Sequence, residues 1–335
     1  MAKYNVAVLG LGAIFNRHLS AIQNNSDMYN LVGVYDPKTD LKVKYSKELN
    51  VIAYQSEDEL FNDLNVNCII ILTPNNLHFE QAYRAIRLKR DVIMEKPATF
   101  TKSELDILCN HALNNNVNIF GVLQVRLNPT VQITKQIIEQ NILGEIRGVS
   151  LVQRWQRPID YFVGWRGTMQ TGGGILREFG IHYLDAMQFI LSKVPNVVAA
   201  NGFNTKFKNT DVNDTIYALL DFGGFGGSVE ISIAAEPKNI ECTLIITGAK
   251  GYIKLGGRSL DEIINLELLN SDDLVKINAI SGKILAQEVV GLATQGASPY
   301  HPEMYKQIVI NPERFNLSQM GNVIALIDNI NSVIK

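Results

Sequence analysis

The first third of the sequence alternates short apolar runs with segments of helical periodicity. The apolar runs lie at residues 5–9, 31–35, 67–72, 91–94 and 117–122. Runs that are apolar at nearly every position are typical of strands covered on both faces, as in a parallel sheet. Helix-like segments separate them, at residues 16–24, 56–64, 77–88 and 102–114. This alternation predicts a doubly wound α/β sheet with right-handed crossovers.

The pattern changes after about residue 125. A helix at 130–140, a strand at 146–155 and a second helix at 174–191 come first. Five further strands follow in succession, at 197–203, 215–222, 227–233, 242–247 and 251–255. Consecutive strands without helices between them predict an α+β domain with a large, mostly antiparallel open sheet. We therefore predict a first domain at 1–124, a second domain at 125–317, and a C-terminal helix at 318–335 that returns to the first domain.

Composition and charge exclude several classes of protein. The 335 residues carry 31 basic and 33 acidic side chains, so the net charge of -2 gives no field suited to binding nucleic acid. No apolar run reaches the roughly 18–20 residues that span a bilayer. Cys68, Cys109 and Cys242 are far apart, which fits a reducing compartment better than a disulfide framework or a zinc site. We expect a soluble cytoplasmic protein with no metal, membrane or nucleic-acid partner.

The first predicted strand runs into a glycine turn and then a helix. Gly10 suits the tight turn, and Gly12 lets the backbone approach a pyrophosphate at the helix N-terminus. The third glycine of this fingerprint is replaced by Phe15. Asp36, at the end of the second strand, is placed to accept hydrogen bonds from adenosine ribose and to repel a 2′-phosphate, which favours NAD over NADP. The alternatives are an ordinary tight turn, and an Asx turn at Asp36.

Lys96 is a candidate acid–base residue. Glu95, Lys96 and Pro97 follow an apolar strand at its carboxyl end, where α/β sheets place their ligands. Partial desolvation and a nearby positive nicotinamide would both disfavour the charged lysine, which suits it to proton transfer. Taken alone, the tripeptide is equally typical of a solvated surface. His18, on the first predicted helix, is assigned to capping or packing.

Several motifs together resemble one enzyme family. The N-terminal Rossmann strand, the Glu-Lys-Pro tripeptide and a Gly-Gly-Gly…Gly-x-His-x-x-Asp helix at 172–185 resemble the Gfo/Idh/MocA oxidoreductases. The segments 124–128, 157–161, 164–168 and 300–302 look most like those of the UDP-N-acetylglucosaminuronate 3-dehydrogenases of bacterial surface-polysaccharide biosynthesis. The resemblance covers almost the whole sequence. It implies that residues 1–124 form a dinucleotide-binding Rossmann domain and that residues 125–317 form an α+β domain for substrate binding and oligomerisation.

The resemblance also implies roles for individual residues. Lys96 and His182 match the acid–base pair, while the carbon of the oxidised hydroxyl gives hydride to nicotinamide C4. Glu178 stands where the family usually has Asp or Asn, so we expect it to contact a sugar hydroxyl or to pair with Arg177 or Arg126. The predicted cofactor contacts are Gly10, Gly12, Ala13, Ile14, Asp36, Thr73, Pro74, Asn75, His78, Glu95, Lys96 and Gln124. The predicted substrate contacts are Lys96, Arg126, Asn128, Arg157, Tyr161, Trp165, Arg166, Glu178, His182 and His301.

The leading hypothesis is an NAD-dependent dehydrogenase that oxidises the 3-hydroxyl of a UDP-linked aminouronate. Such a substrate carries a pyrophosphate and a carboxylate, which suit the fork-shaped donors of Arg126, Arg157 and Arg166. These arginines could instead form salt bridges at the rim of the site. An enzyme acting on a free sugar or inositol, and a non-catalytic NAD(H)-binding regulator, are the alternatives. We expect a homodimer or homotetramer that binds a small-molecule substrate.

Overall fold

The chain divides into two compact units. A computed structural model describes residues 4–270, 273–287 and 300–334. Unit 1 comprises Met1–Leu123 and His301–Gly321, and unit 2 comprises Gln124–Tyr300 and Asn322–Lys335. The first change of unit falls beside the boundary that the sequence predicts at residue 124. In the C-terminal part of the chain, the segment that belongs to unit 1 is His301–Gly321, which precedes the final helix.

The elements of the described residues alternate in the first third of the chain and then become strand-rich. The strands are β1 (Tyr4–Leu9), β2 (Tyr29–Tyr35), β3 (Ile52–Ala53), β4 (Cys68–Ile71), β5 (Asp91–Met94), β6 (Ile119–Gly121), β7 (Ile146–Arg154), β8 (Asn196–Phe203), β9 (Thr215–Asp221), β10 (Gly226–Ser232), β11 (Glu241–Gly248), β12 (Gly251–Gly256) and β13 (Glu262–Leu268). The α-helices are α1 (Phe15–Asn24), α2 (Thr39–Leu49), α3 (Glu57–Asn62), α4 (His78–Arg87), α5 (Lys102–Asn115), α6 (Pro129–Glu139), α7 (Ile181–Leu191), α8 (Asp273–Gln287), α9 (His301–Ile310) and α10 (Gly321–Val333).

Unit 1 is built on a parallel sheet of strand order β3-β2-β1-β4-β5-β6. Every residue of β4 is buried, as the apolar run there predicts. The order changes direction at β1, and ligands of such sheets bind beyond the carboxyl ends of the strands at this switch point. The predicted doubly wound sheet is confirmed.

The segment His301–Gly321 belongs to unit 1 because α9 packs against α1. The side-chain amide of Asn25 donates to the carbonyl of Pro302 at 2.9 Å, and the Tyr29 hydroxyl donates to the carbonyl of Tyr305 at 2.9 Å. We expected the return to unit 1 to begin at residue 318. The structure instead places it at 301–321, where buried aromatic side chains supply the contacts.

Unit 2 contains an open seven-stranded sheet of order β13-β12-β11-β7-β10-β9-β8. All neighbouring pairs are antiparallel except β7 and β10. This confirms the predicted α+β domain, although β13 was not predicted because its apolar side chains are largely exposed. The final helix α10 lies in unit 2, where Asp328 pairs with Arg177 at 2.7 Å.

Among the described residues, no helix is both long and apolar enough to span a membrane.

Candidate active site

The glycine turn after β1 has the geometry that a dinucleotide needs. Gly10 has φ +95°, and a Cβ there would lie 2.7 Å from the carbonyl oxygen of Leu72. Only glycine fits such a position without strain. A Cβ on Gly12, by contrast, would meet no protein atom within 4 Å. The backbone of Gly12 therefore faces open space beside the start of α1, where a phosphate would approach the helix N-terminus.

Asp36 holds this turn in place. Its side chain is buried, with Oδ2 accepting from the Leu11 N–H at 2.9 Å and Oδ1 accepting from the Lys38 N–H at 2.8 Å. The second bond is the Asx turn that was one alternative for this residue. Each carboxylate oxygen keeps a further lone pair that could accept from a ribose hydroxyl. The Asx turn and the predicted ribose contact of Asp36 are therefore compatible.

Phe15 replaces the third glycine without closing the turn. It is fully buried at the start of α1, and its ring meets that of Tyr45 on α2 edge to face at 4.6 Å. The aromatic side chain therefore fills the space between the two helices and points away from the open side of Gly12.

The loop after β4 is tied to the loop after β5 by His78. Its Nε2 lies 2.8 Å from the carbonyl oxygen of Thr73, and its Nδ1 lies 2.8 Å from that of Pro97. Burial lowers the pKa of His78, against the effect of these carbonyls. The predicted cofactor residue His78 is therefore buried and holds the two loops together.

Two other predicted cofactor residues, Asn75 and Gln124, are also buried. The side-chain oxygen of Gln124 has no hydrogen-bond partner among the described residues.

Lys96 is half-buried and follows the buried Glu95 directly. Oε2 of Glu95 accepts from the Lys96 N–H at 2.9 Å, and Oε1 lies 3.0 Å from His18 Nε2. Burial by itself would raise the pKa of Glu95, but His18, His301 and Lys96 hold it well below its ordinary value. Glu95 is therefore a buried carboxylate beside the candidate acid–base residue.

His301, a predicted substrate contact, is buried in unit 1 near Glu95. It is 2 % exposed, and its Nε2 lies 3.8 Å from Glu95 Oε1. Neither ring nitrogen has a hydrogen-bond partner among the described residues.

In unit 2, glycines bring the loop at 164–168 close to the segment that carries Glu178 and His182. A Cβ on Gly172 would lie 2.8 Å from the carbonyl oxygen of Arg166, so the two backbones are in direct contact. A single π-helical turn, Leu176–Gly180, then precedes α7. Such turns add a residue to the helical repeat, are frequent at functional sites, and change the direction of the side chains that they carry.

Glu178 contacts the loop at 164–168. Its Oε1 accepts from the Tyr161 hydroxyl at 2.8 Å and lies 3.2 Å from Arg166 Nε. Arg177 pairs with Asp328, and Arg126 forms a two-pronged pair with the buried Asp185 at 2.8 and 2.6 Å. The longer acid reaches across to the loop at 164–168, which the glycine contact brings near.

Arg157 is enclosed by aromatic rings. Its guanidinium carbon lies 4.8 Å from the ring centre of Trp155, 4.7 Å from Phe179 and 5.6 Å from Tyr161. Burial lowers the pKa of this guanidinium, and the nearby cation Arg258 lowers it further. Among the described residues it donates to the carbonyl of Gln156 and has no carboxylate partner. Of the three predicted substrate arginines, Arg157 alone has no ion pair within the described part of unit 2.

Asn128 contacts the loop after β12 that carries Arg258. Asn128 is fully buried and donates to the carbonyl of Ser259 at 2.5 Å, so it holds this loop in place. The Tyr183 hydroxyl donates to the carbonyl of Arg258 at 3.0 Å in the same loop. Arg258 was not among the predicted site residues, and the Gly256–Gly257 turn before it is the signal that the sequence offers.

Comparison with known proteins gives the family. Residues 4–122 match the GFO/IDH/MocA oxidoreductase family with NAD-binding Rossmann fold, and residues 131–254 match the GFO/IDH/MocA C-terminal domain. The chain therefore belongs to the GFO/IDH/MocA family of oxidoreductases, and its first unit is an NAD-binding Rossmann domain. The predicted family and cofactor are thereby confirmed.

Three individual proteins illustrate the range within this family. The 2,7-anhydro-N-acetylneuraminate hydratase of Escherichia coli is 27% identical over 256 residues, which cover 75% of this chain and 67% of that protein. The WlbA dehydrogenase of Bordetella pertussis, solved with NADH and UDP-GlcNAcA, has a TM-score of 0.86 and 24% identity, covering 99% of this chain and 95% of that chain. A levoglucosan dehydrogenase, solved with NADH and levoglucosan, has a TM-score of 0.82 and 18% identity, covering 99% and 97%. These two structural likenesses show the fold.

Proposed function

We propose that this oxidoreductase is an NAD-dependent dehydrogenase of an anionic nucleotide sugar, and that it oxidises the C3 hydroxyl of a UDP-N-acetylaminouronate. The observation that carries the proposal is Arg157, a half-buried cation with three aromatic neighbours and no carboxylate partner among the described residues. A partly desolvated guanidinium without an anion is costly, and a substrate carboxylate or phosphate would supply the missing charge. The second cation, Arg258, strengthens the attraction for an anion.

The aromatic side chains around Arg157 also suit a sugar. Trp155 and Phe179 both lie within 5 Å of the guanidinium carbon, and such aromatic surfaces pack against sugar rings as well as against cations. Tyr161 shares its hydroxyl with Glu178, and burial together with this carboxylate raises the pKa of Tyr161. Tyr161 therefore stays protonated as a hydrogen-bond donor, which fixes the orientation of Glu178 toward a sugar hydroxyl.

The proposed reaction removes a proton and a hydride from one secondary alcohol. NAD held at the Gly10–Gly12 turn and Asp36 would supply the hydride acceptor. Lys96 Nζ takes the hydroxyl proton and His182 shares the acid–base role, so the alcohol becomes a ketone as its hydride passes to the cofactor. Asp36 favours NAD because its carboxylate would repel a 2′-phosphate.

A family enzyme acting on a free sugar is the second candidate function. It is favoured by the levoglucosan dehydrogenase likeness and by Arg166, whose charge is already balanced by Glu178. If Arg157 served only to pack against Trp155, a neutral sugar would need no further cation. The two candidates differ in whether binding depends on the charge of the substrate.

A dehydrogenase assay over matched substrates separates these candidates. NADH formation is measured with UDP-N-acetylglucosaminuronate, UDP-N-acetylglucosamine, free glucuronate, levoglucosan and inositol. The proposal expects the highest kcat/KM with the UDP-linked uronate and a loss on removal of its carboxylate. Equal or better turnover of a free neutral sugar would contradict it. Binding of NADH without turnover of any sugar would instead favour a regulator.

We also propose that the protein is a cytoplasmic homodimer or homotetramer that associates through the sheet of unit 2. Four large apolar side chains are exposed on its β8 and β9 strands: Val198, Phe203, Tyr217 and Leu219. Exposed apolar groups on one sheet are typical of an interface. The mass in solution, measured by light scattering for the wild type and for Leu219→Glu, tests this: a monomeric wild type would contradict it.

A further inference from the structure

A network of buried polar groups runs from helix α9 to the backbone of Lys96. The Tyr305 hydroxyl lies 2.7 Å from His18 Nδ1, His18 Nε2 lies 3.0 Å from Glu95 Oε1, and Glu95 Oε2 accepts from the Lys96 N–H. Tyr305 and His18 are completely buried, and Glu95 is 7 % exposed. All of these residues lie in unit 1.

The hydrogen bonds of this network have one consistent direction. Ionised Glu95 can only accept, so His18 Nε2 donates to it. Burial lowers the pKa of His18, so the ring is neutral and its Nδ1 is an acceptor. The Tyr305 hydroxyl therefore donates to Nδ1, and in doing so it selects the His18 tautomer that can bind Glu95. A partner on one ring nitrogen commonly determines what the other nitrogen does.

We propose that Tyr305 and His18 are positioning residues for Lys96, acting through the Glu95 carboxylate that holds the Lys96 N–H. This inference rests on the proposed role of Lys96 as the acid–base residue. The carboxylate fixes the peptide from which the lysine side chain starts. On the other side of the turn, His78 contacts the carbonyl of Pro97, so the backbone is held both before and after the lysine.

The energetics favour positioning over simple packing. A buried carboxylate is expensive unless it is fully hydrogen-bonded, and an apolar core at this place would fold as well or better. Both oxygens of Glu95 are used, one by His18 and one by the Lys96 backbone. A bond to the peptide of one residue does little for the packing of α9 on α1, but it restricts where Lys96 can lie. Small displacements of reacting groups lower rates strongly.

The test compares two tyrosines that lose the same atom. Tyr305→Phe removes the hydroxyl that orients His18. Tyr29→Phe is the matched control, because Tyr29 is equally buried, stacks near Tyr305 and donates to its backbone carbonyl instead. Both variants lose one buried hydrogen bond and should lose similar stability. Their kcat with UDP-N-acetylglucosaminuronate and NAD, their KM, and their Kd for NADH are measured together with the thermal midpoint.

The inference expects Tyr305→Phe to lower kcat by about tenfold or more, while KM and the Kd for NADH stay within about twofold. Tyr29→Phe should keep kcat near the wild-type value. Equal kcat in the two variants would overturn the inference. Loss of turnover in Tyr305→Phe that is matched by loss of NADH binding would also overturn it, because the whole domain would then be altered.

A second readout needs no substrate and so separates this inference from the proposed function. The Lys96 amide hydrogen is protected by Glu95, and its exchange with deuterium can be followed by mass spectrometry with fragmentation. We expect faster exchange at Lys96 in Tyr305→Phe than in Tyr29→Phe, whichever sugar the enzyme uses. Unchanged exchange in both variants would overturn the network. If exchange at Lys96 is faster in Tyr305→Phe but Lys96→Met keeps the wild-type turnover, the network stands and the proposed role of Lys96 fails.

A bound metal is the competing explanation for this cluster. His18, Glu95 and His301 offer ligand atoms within 4.8 Å of one another, and the His301 nitrogens lack partners among the described residues. Metal analysis of the purified wild type and of His301→Gln decides between the two. The inference expects no stoichiometric metal in either protein. Stoichiometric zinc that is lost in His301→Gln would overturn it, because Glu95 would then be a metal ligand.

Discussion

The backbone N–H of Leu11, between the two glycines of the phosphate-binding turn, donates to Oδ2 of Asp36 at 2.9 Å. The acid that we assign to the ribose therefore also holds the turn that we assign to the pyrophosphate. The proposed ribose and pyrophosphate subsites are therefore linked by one side chain, so a change at Asp36 acts on both.

Replacing Asp36 should change cofactor preference. Asp36→Ser removes the charge that repels a 2′-phosphate and also removes the acceptor of the Leu11 N–H. We expect weaker binding of NADH and a shift of the NADPH-to-NADH affinity ratio toward NADPH by about tenfold or more. Titration of both cofactors by fluorescence measures the ratio. An unchanged ratio would show that Asp36 does not face the ribose.

The two glycines of the turn predict opposite phenotypes. Gly10→Ala places a Cβ against the Leu72 carbonyl at a positive φ, so it should lower the free energy of unfolding by about 1–3 kcal/mol. Gly12→Val meets no protein atom near its Cβ and should leave stability nearly unchanged, yet its side chain fills the space through which a pyrophosphate approaches. Urea unfolding and NADH titration of both variants check this. Tight NADH binding by Gly12→Val would place the phosphates elsewhere.

Arg157 should control the affinity for an anionic substrate. Arg157→Met keeps much of the apolar contact with Trp155 but removes the charge, so KM for the UDP-linked uronate should rise by about tenfold or more. Arg147→Met, on the exposed surface of β7, is the matched control and should behave as the wild type. If both variants gave the wild-type KM, Arg157 would be a packing residue, and the free-sugar candidate would gain support.

Two buried histidines predict a loss of stability in mild acid. The pKa values of His18 and His78 are lowered by burial from the ordinary value of 6.5. Below pH 6.5 the unfolded chain binds protons that the folded chain does not, so the free energy of unfolding falls as the pH falls. The slope approaches about 1.4 kcal/mol per pH unit for each such proton.

Urea unfolding between about pH 7 and about pH 5 measures this slope. His78→Gln should be less stable at neutral pH, since a clamp between two loops is altered, but its stability should fall less steeply with acid. A slope equal to that of the wild type would mean that His78 is protonated in the folded protein, bound to both carbonyls.

Much of the fold follows from local patterns in the sequence. The apolar run of β4 suits a strand that is buried on both faces, and the turn at Gly10 needs a positive φ. Each pattern is compatible with few local structures. The acid at Asp36 was predicted from its place at the end of the second strand, which follows the glycine turn. The family motifs then identified the type of enzyme.

The contacts between distant segments could not be read in this way. His18 was assigned to packing because its partner Tyr305 lies 287 residues away. The contact of Glu178 with Arg166 depends on the close approach of Gly172 to Arg166, which is a tertiary contact. The amide of Asn128 binds the carbonyl of Ser259, 131 residues away. Each case concerns the partner of a polar side chain, which packing decides.

The most direct test is NADH formation with UDP-N-acetylglucosaminuronate by the wild type, Lys96→Met and the control Lys47→Met, an exposed lysine on α2. We predict turnover by the wild type and by Lys47→Met. Lys96→Met should lose turnover by at least about a thousandfold while its Kd for NADH stays close to the wild-type value. Turnover by Lys96→Met at the wild-type rate, or no NADH formation by the wild type with any UDP-linked uronate, would contradict the proposed function.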